Sequence, residues 1–317
     1  MPVAPHDRDH PSYEGRPLAK PDEEVVDQGL PFDVTTLMGR RQMLLALGLS
    51  GGALALAGCG SSAGASSAPS STSPATGATT AAGLAEIPDE TAGPYPADGS
   101  NGPDVLEESG IVRDDIRASF GGPTGVADGV PLTITLALQD MTDGHAPFVG
   151  AAVYLWHCDR EGRYSMYSEG VESENYLRGV QVADVDGSVT FTSVFPACYT
   201  GRWPHVHFEV YPDLASTADS ADAVATSQLA LPADVCDAVY AEPGYESSVA
   251  TRAQVSLESD NVFGDDGGAS QLGTVTGDVA GGYAVTLVVP VDPTTVPATG
   301  GGGAGGPGGP PGALPNG

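Results

Sequence analysis

The strongest candidates for chemistry are His205 and His207, which are separated by one residue in the segment RWPHVHF. Side chains alternate between the two faces of a β-strand, so these two imidazoles would project from the same face. Val206 and Phe208 would then point to the opposite face, as in a strand that has one side in a core. Two imidazoles at this spacing can reach one metal ion, and the segment therefore predicts a metal site.

Two tyrosines near the histidines would decide which metal such a site prefers. Tyr199 precedes His205 by six residues, and Tyr164 follows a predicted strand in the string YLWHCDREGRYSMY. Phenolate oxygen favours a hard, highly charged cation, and imidazole is suited to iron. The unperturbed pKa of tyrosine is about 10, so the cation must displace the phenol proton, which Fe(III) does readily. Two phenols and two imidazoles therefore predict a ferric site.

These side chains would be carried by a chain whose periodicity is mainly that of β-strands. Leu132, Ile134, Leu136 and Leu138 alternate with smaller or polar residues. Further strands are predicted at 151–158, 188–194, 205–211, 252–257 and 283–291. Only 216–226 and 232–240 have helical composition. Several short strands without helical crossovers predict an all-β fold, a β-sandwich with short helices and loops.

The same residues resemble a known enzyme family. The strings WHCDREGRYS and YLRGVQVADVDGSVTF and the pattern P-x-x-Y-x-G-R-x-x-HVHF closely resemble the intradiol ring-cleavage dioxygenases. ETAGPYP at 90–96 resembles a family element beside the substrate pocket, and TSQLALP at 226–232 resembles one near the metal. The resemblance implies a mononuclear non-haem Fe(III) cofactor. Its substrates would be a small aromatic diol and O2, and its products cis,cis-muconate-type diacids.

The resemblance also implies a set of metal ligands. Carried over by position, these are Tyr164, Tyr199, His205 and His207. Tyr164 and His205 correspond to the equatorial ligands of the family, and Tyr199 and His207 to the axial ones. Tyr167 and Tyr176 compete with Tyr164 for its place, and the context GRYS favours Tyr164.

Catalytic and pocket residues follow from the same correspondence. Tyr199 would also accept a substrate proton, Arg202 matches the arginine that faces the substrate, and Gln228 matches a glutamine near the iron. The pocket walls predicted from the sequence are Tyr95, Tyr167 and Trp203.

Three other polar features have structural interpretations. His157 is predicted to be a hydrogen-bonded core histidine rather than a fifth ligand. The sequence DVDG at 184–187 is predicted to be a hairpin turn, because no Glu follows at the distance that a calcium loop requires. The sequence DNVFGDD at 260–266 is predicted to be an acidic surface loop.

The chain is predicted to have four parts. Residues 1–59 have the pattern of an export signal, with a twin-arginine-like pair at Arg40–Arg41 and a lipobox-like LAGC that ends at Cys59. Residues 60–83 form a disordered Ser/Ala/Thr tether, 84–295 the catalytic β-sandwich, and 296–317 a disordered Gly/Pro tail. The true start codon could lie nearer Met38, and a plain secretory signal with an incidental cysteine is the alternative.

This organisation predicts an exported protein, at the cell surface or otherwise outside the cytoplasm, that is attached to the membrane only through a lipid on Cys59. The chain carries 12 basic and 41 acidic residues. A surface this acidic repels nucleic acid and anionic lipid, which excludes both as partners. The family resemblance is compatible with a homodimer.

Three cysteines remain once Cys59 is assigned to the lipid: Cys158, Cys198 and Cys236. An odd number in an oxidising compartment predicts one disulfide and one buried thiol. Spacing cannot decide the pairing, although Cys198–Cys236 is favoured.

Two alternatives to a dioxygenase are consistent with parts of the sequence. The first is a lipid-tethered, non-catalytic β-sandwich that binds aromatic polymer or carbohydrate. Such a binding module would not require two tyrosines and two histidines that converge. The second is a zinc hydrolase that uses the histidine pair, but no carboxylate stands at a convincing base position.

Overall fold

The computed structural model describes residues 84–295, together with two short strands nearer the N-terminus, β1 (Ser12–Tyr13) and β2 (Arg16–Pro17). The predicted signal motifs, Cys59, the tether and the Gly/Pro tail lie outside the described residues. Within 84–295, no helix is long and apolar enough to cross a membrane.

Nine further strands follow in chain order: β3 (Pro131–Asp140), β4 (Ala146–Pro147), β5 (Ala152–Trp156), β6 (Arg178–Val182), β7 (Ser188–Val194), β8 (His205–Tyr211), β9 (Ala225–Ala230), β10 (Thr274–Asp278) and β11 (Gly282–Val291). One sheet has the order β10-β11-β3-β4, and β7 also pairs with β3. The other has the order β6-β5-β8-β9. Only the β11–β3 pairing is parallel among those within the two sheets. The predicted all-β sandwich is confirmed.

The second sheet is buried on both faces, which explains why every residue of β8 is buried. Val206, Phe208 and Val210 point inward and join the core between the sheets. On the other face of the same sheet, Tyr154 and Trp156 of β5 belong to a separate cluster with residues from 97–111 of the N-terminal segment. The histidines of β8 share this outer face, so the candidate site lies between the sheet and the segment that covers it.

Two α-helices lie between β9 and β10, α1 (Ala233–Val239) and α2 (Glu246–Arg252). The helix predicted at 232–240 is confirmed. The helix predicted at 216–226 is wrong, because this region forms two 3-10 turns, Ala215–Ala218 and Ser220–Asp222, followed by β9. Asp213 and Asp219 accept backbone N–H groups of these turns, and such local bonds compete with a continuous helix.

The strand predicted at 252–257 is also wrong. Arg252 is the last residue of α2, and the chain reaches the 3-10 turn Leu257–Ser259 without pairing in a sheet. Val255 is buried against the main core, so its apolar character reflects packing rather than a strand face. The predicted turn at 184–187 is confirmed: it joins β6 to β7, and the Asp184 carboxylate accepts the backbone N–H groups of Asp186 and of Ser188 at the start of β7.

The predicted disulfide is wrong, because Cys158, Cys198 and Cys236 are all free and buried. Each thiol lies near a different backbone carbonyl, and that of Cys198 is 3.5 Å from the Arg202 oxygen. Burial raises the pKa of the Cys198 thiol to about 11. Disulfide formation requires the thiolate, which these surroundings disfavour.

Candidate metal centre

Four potential ligand atoms converge at the outer face of β8. The Tyr199 hydroxyl lies 3.1 Å from His205 Nε2, which lies 3.1 Å from His207 Nε2. The Tyr164 hydroxyl lies 3.4 Å from that of Tyr199. Metal bonds of about 2.0–2.2 Å, as for zinc, would place neighbouring ligand atoms roughly 3 Å apart. The spacing therefore fits one ion bound by all four groups.

Tyr164 reaches this point from the loop that follows β5. Its backbone N–H donates to Ser168 Oγ at 2.9 Å, and its ring packs against Tyr95 with centroids 5.0 Å apart. The side chain is 2% exposed. Local hydrogen bonding and ring packing therefore hold its hydroxyl beside that of Tyr199.

The two rival tyrosines use their hydroxyls elsewhere. That of Tyr167 donates to Asn101 Oδ1 at 2.8 Å, and that of Tyr176 donates to Asp159 Oδ2 at 2.9 Å. Among the three tyrosines considered from the sequence, only Tyr164 has its hydroxyl at the converging group.

The two histidines are oriented by different means. His205 Nδ1 makes a short hydrogen bond to the Trp203 carbonyl, which can only accept, so its Nε2 carries the lone pair toward the site. The His207 ring stacks on Trp156 with centroids 5.0 Å apart and planes 5° apart. Its Nδ1 is buried and has no hydrogen-bond partner among the described residues.

Burial favours the uncharged form of all four groups. It lowers the pKa of both histidines well below the usual range, and neighbouring positive charge acts in the same direction. Neutral imidazole is the form that binds metal. Burial also raises the pKa of Tyr164 and raises that of Tyr199 to about 12. A strongly charged cation is needed to displace protons from these phenols, which fits a trivalent ion.

Within residues 84–295, no group of three or more His, Cys, Asp and Glu side chains is arranged to hold a metal ion. The candidate centre has only two residues of these four types, His205 and His207. Its other two candidate ligands are the phenols of Tyr164 and Tyr199.

Arg202 lies beside the four groups and is held in place on two sides. Its Nη2 donates to Gln228 Oε1 at 2.6 Å, and its Nε donates to Asp260 Oδ2 at 3.0 Å. Gln228, on β9, in turn donates to the Thr91 carbonyl at 2.8 Å. Burial alone would lower the pKa of Arg202, but Tyr199 and Asp260 outweigh it and raise that pKa. Arg202 is therefore a fixed cation next to the Tyr199 oxygen.

Asp260 does not lie on the surface, so the prediction of an acidic surface loop is wrong for this residue. It is 2% exposed, whereas Asp265 and Asp266 of the same segment are exposed as predicted. The adjacent Val262 and Phe263 are buried, and they draw the start of the loop into the core. These two apolar neighbours were the available sequence signal that Asp260 is not solvated.

The predicted pocket residues have different environments. Tyr95 is half-buried, with its ring 5.0 Å from that of Tyr164 and 5.2 Å from that of Tyr167. Gly93 has a φ of +73°, and a Cβ there would lie 3.4 Å from His207 Cε1, so this segment closely covers a candidate ligand.

Trp203 is not a pocket wall but a core residue, 3% exposed, that donates its indole N–H to the Leu231 carbonyl at 2.8 Å. Its ring packs in the main core beside α2, with Arg252 Cζ 4.3 Å from the ring centroid. His157 is a buried histidine whose ring nitrogens contact the Cys158 carbonyl and Ser193 Oγ, as predicted.

Comparison with known proteins places this site within one matched region. The family model described as Dioxygenase matches residues 101–219, which include all four candidate ligands and Arg202. The chain is 33% identical over 101 residues to the chlorocatechol 1,2-dioxygenase of Pseudomonas sp. (strain P51), covering 26% of this chain and 39% of that protein. It is 38% identical over 53 residues to the chlorocatechol 1,2-dioxygenase of Rhodococcus opacus, covering 17% and 21%. The matched stretches thus span well under half the length of these relatives.

The fold is also that of a solved structure, the intradiol ring-cleavage dioxygenase from Tetranychus urticae. The TM-score is 0.52 at 23% sequence identity, and the match covers 67% of this chain and 96% of that one. This likeness establishes the shared β-sandwich architecture.

Proposed function

The chain belongs to the intradiol ring-cleavage dioxygenase family, and we propose that it is a non-haem Fe(III) enzyme that opens catechol-type rings between the two hydroxylated carbons. The observation that carries this proposal is the convergence of two phenol oxygens and two imidazole nitrogens at 3.1–3.4 Å beside a fixed arginine. A binding module does not require this arrangement, and the family match does not favour that alternative.

The reaction would consume one catechol and one O2 and would give one cis,cis-muconate-type diacid. Both oxygen atoms enter the product, the carbon–carbon bond between the hydroxylated carbons breaks, and no external reductant is needed. Bound by Tyr164, Tyr199, His205 and His207, the ferric ion would act as a Lewis acid toward the substrate hydroxyls and would support the reaction with O2.

The protein's own groups would manage protons and charge. As a phenolate at the converging group, Tyr199 would accept a substrate proton. Arg202, fixed by Gln228 and Asp260, would stabilise negative charge that develops on the substrate oxygens. Tyr95 and Gly93 cover the site and would limit the access of water.

The place of action also belongs to the proposal. We infer from the sequence that the enzyme is exported and is anchored through a lipid on Cys59, where it would meet diffusible aromatic compounds. Metabolic labelling with a radioactive fatty acid would test this, because Cys59→Ala should abolish the label.

The activity is tested by loading the metal-free protein with Fe(III) or Zn(II) and measuring O2 uptake with catechol, protocatechuate and hydroxyquinol. The iron form should be burgundy from tyrosinate-to-iron charge transfer and should consume one O2 per diacid formed. A colourless protein that binds only zinc, or a ring opened outside the two hydroxyls, would contradict the proposal.

A further inference from the structure

We propose that Asp260 is a positioning residue that sets both the orientation of Arg202 and the tautomer of His205. This inference rests on the proposed function. It assigns a role at the site to a segment that is distant in sequence and contributes no candidate ligand.

The first observation is the environment of the Asp260 carboxylate. Its side chain is 0% exposed and is surrounded by four N–H donors. Oδ2 accepts from Arg202 Nε at 3.0 Å and from the Trp203 backbone N–H at 2.6 Å. Oδ1 accepts from the backbone N–H groups of Val262 and Phe263 at 2.8 and 3.1 Å. The second pair fixes the carboxylate to its own loop, so the first pair is held by a rigid acceptor.

The hydrogen bond from Arg202 to Asp260 fixes the orientation of the cation that would face the substrate. Arg202 has a planar guanidinium, and bonds to Asp260 at Nε and to Gln228 at Nη2 define its plane. Loss of the Asp260 bond would leave only the Gln228 contact, and the guanidinium would be free to rotate away from the Tyr199 oxygen.

The hydrogen bond from the Trp203 backbone N–H to Asp260 acts on a candidate metal ligand, His205. Asp260 anchors the Trp203 N–H, and the Trp203 carbonyl accepts the hydrogen bond from His205 Nδ1. This bond keeps Nε2 unprotonated and aimed at the other three ligand atoms. Loss of such an outer partner commonly costs roughly 10–100-fold in metal affinity or activity. Within residues 84–295, His207 Nδ1 has no comparable bond, and the ring is oriented by Trp156, so the effect should be specific to His205.

The test compares Asp260→Asn with Asp265→Asn, which alters an exposed carboxylate in the same loop. Asp260→Asn should lower kcat/KM for catechol roughly 10–100-fold, mainly through kcat, and should weaken Fe(III) binding in competition with a chelator. Asp265→Asn should change neither quantity.

A double-mutant cycle with Arg202→Gln separates positioning from a general structural role. If Asp260 acts through Arg202, the double variant should lose little more kcat/KM than the worse single variant. Arg202→Gln alone should weaken iron binding less than Asp260→Asn does, because it leaves the bond between Asp260 and the Trp203 N–H in place. Additive losses, or wild-type kinetics and iron binding in folded Asp260→Asn, would overturn the proposal.

Arg202→Lys provides a second route if Asp260→Asn does not fold. Lysine keeps the charge but cannot donate to Asp260 and Gln228 in the same planar arrangement, so kcat should fall at unchanged iron affinity. Unchanged kcat would refute the need for a fixed guanidinium. If iron-loaded wild type cleaves no catechol, the proposed function fails, whereas the iron-affinity comparison still tests the effect of Asp260 on His205.

Discussion

At the scale of single residues, the site combines four groups that burial keeps uncharged with one cation, Arg202, that Tyr199 and Asp260 keep charged against the effect of burial. Without metal all four candidate ligands are neutral. Burial lowers the pKa of His205 and His207 and raises the pKa of Tyr164 and Tyr199. A ferric ion would reverse this for the phenols. The site is thus suited to a metal that can ionise tyrosine.

The Tyr199 hydroxyl offers the sharpest residue-scale prediction. Tyr199→Phe should shift the visible absorption band of the iron protein, because one tyrosinate is lost, and should lower kcat by roughly 100-fold or more. Absorption spectroscopy and O2 uptake measure the two effects. Tyr240→Phe is the matched control, since it removes a buried hydroxyl that donates to the Pro196 carbonyl and is not part of the converging group. An unchanged band in Tyr199→Phe would remove Tyr199 from the ligand set.

At the scale of elements, the outer face of the second sheet becomes a site because a separate covering segment, residues 90–111, lies over it. Arg178, the first residue of β6 and 1% exposed, holds this cover in place. Its guanidinium donates to the carbonyls of Tyr95 and Pro96 at 2.9 and 2.8 Å, and to Ser165 beside Tyr164. One side chain therefore connects the covering segment to the loop that carries a candidate ligand.

Arg178→Lys should loosen both connections, because an ammonium group cannot replace a five-donor fork. We expect a loss of roughly 2–4 kcal/mol in the free energy of unfolding and a higher KM for catechol. Denaturant unfolding and steady-state kinetics measure these effects. Arg117→Lys is the control, since it alters an exposed pair with Asp115 and should cost less than about 1 kcal/mol. Equal losses in the two variants would contradict the anchoring role.

At the scale of the whole molecule, the chain is rich in acidic residues, and partly buried carboxylates make the free energy of unfolding depend on pH. Glu90, at the start of the covering segment, has its pKa raised to about 7 by burial and then by Asp265. Between pH about 4.5 and about 7, the folded protein therefore holds a proton at Glu90 that the unfolded chain releases. The contribution of Glu90 to the free energy of unfolding is therefore fully present below this pH window and is lost as the pH rises through it.

Glu90→Gln should flatten the decline of melting temperature across this window, because the amide does not titrate. Thermal unfolding in a series of buffers from pH 4 to about 8 measures the slope. Glu246→Gln serves as the control: a backbone bond from Gly244 lowers the pKa of exposed Glu246, so its contribution changes at lower pH. An identical slope in wild type and Glu90→Gln would show that Glu90 does not control this dependence.

The sequence by itself determined the features that local periodicity encodes. The alternation along 205–211 correctly predicted β8, with both histidines on one face and Val206 and Phe208 in the core. The all-β class and the short helix near 233–239 followed from the same kind of pattern. The assignment of Tyr164 required the family resemblance, since nothing in its spacing excluded Tyr167 and Tyr176.

Only the tertiary structure decided how distant segments meet. Asp260 contacts Arg202 across 58 residues of sequence, and the free thiols and the core position of Trp203 depend on packing between separate elements. A periodic pattern indicates which face of a strand is buried, but not which partner covers that face. The sequence therefore predicted a solvated acidic loop at 260–266, whereas its first carboxylate, Asp260, is buried and contacts Arg202 beside the candidate metal centre.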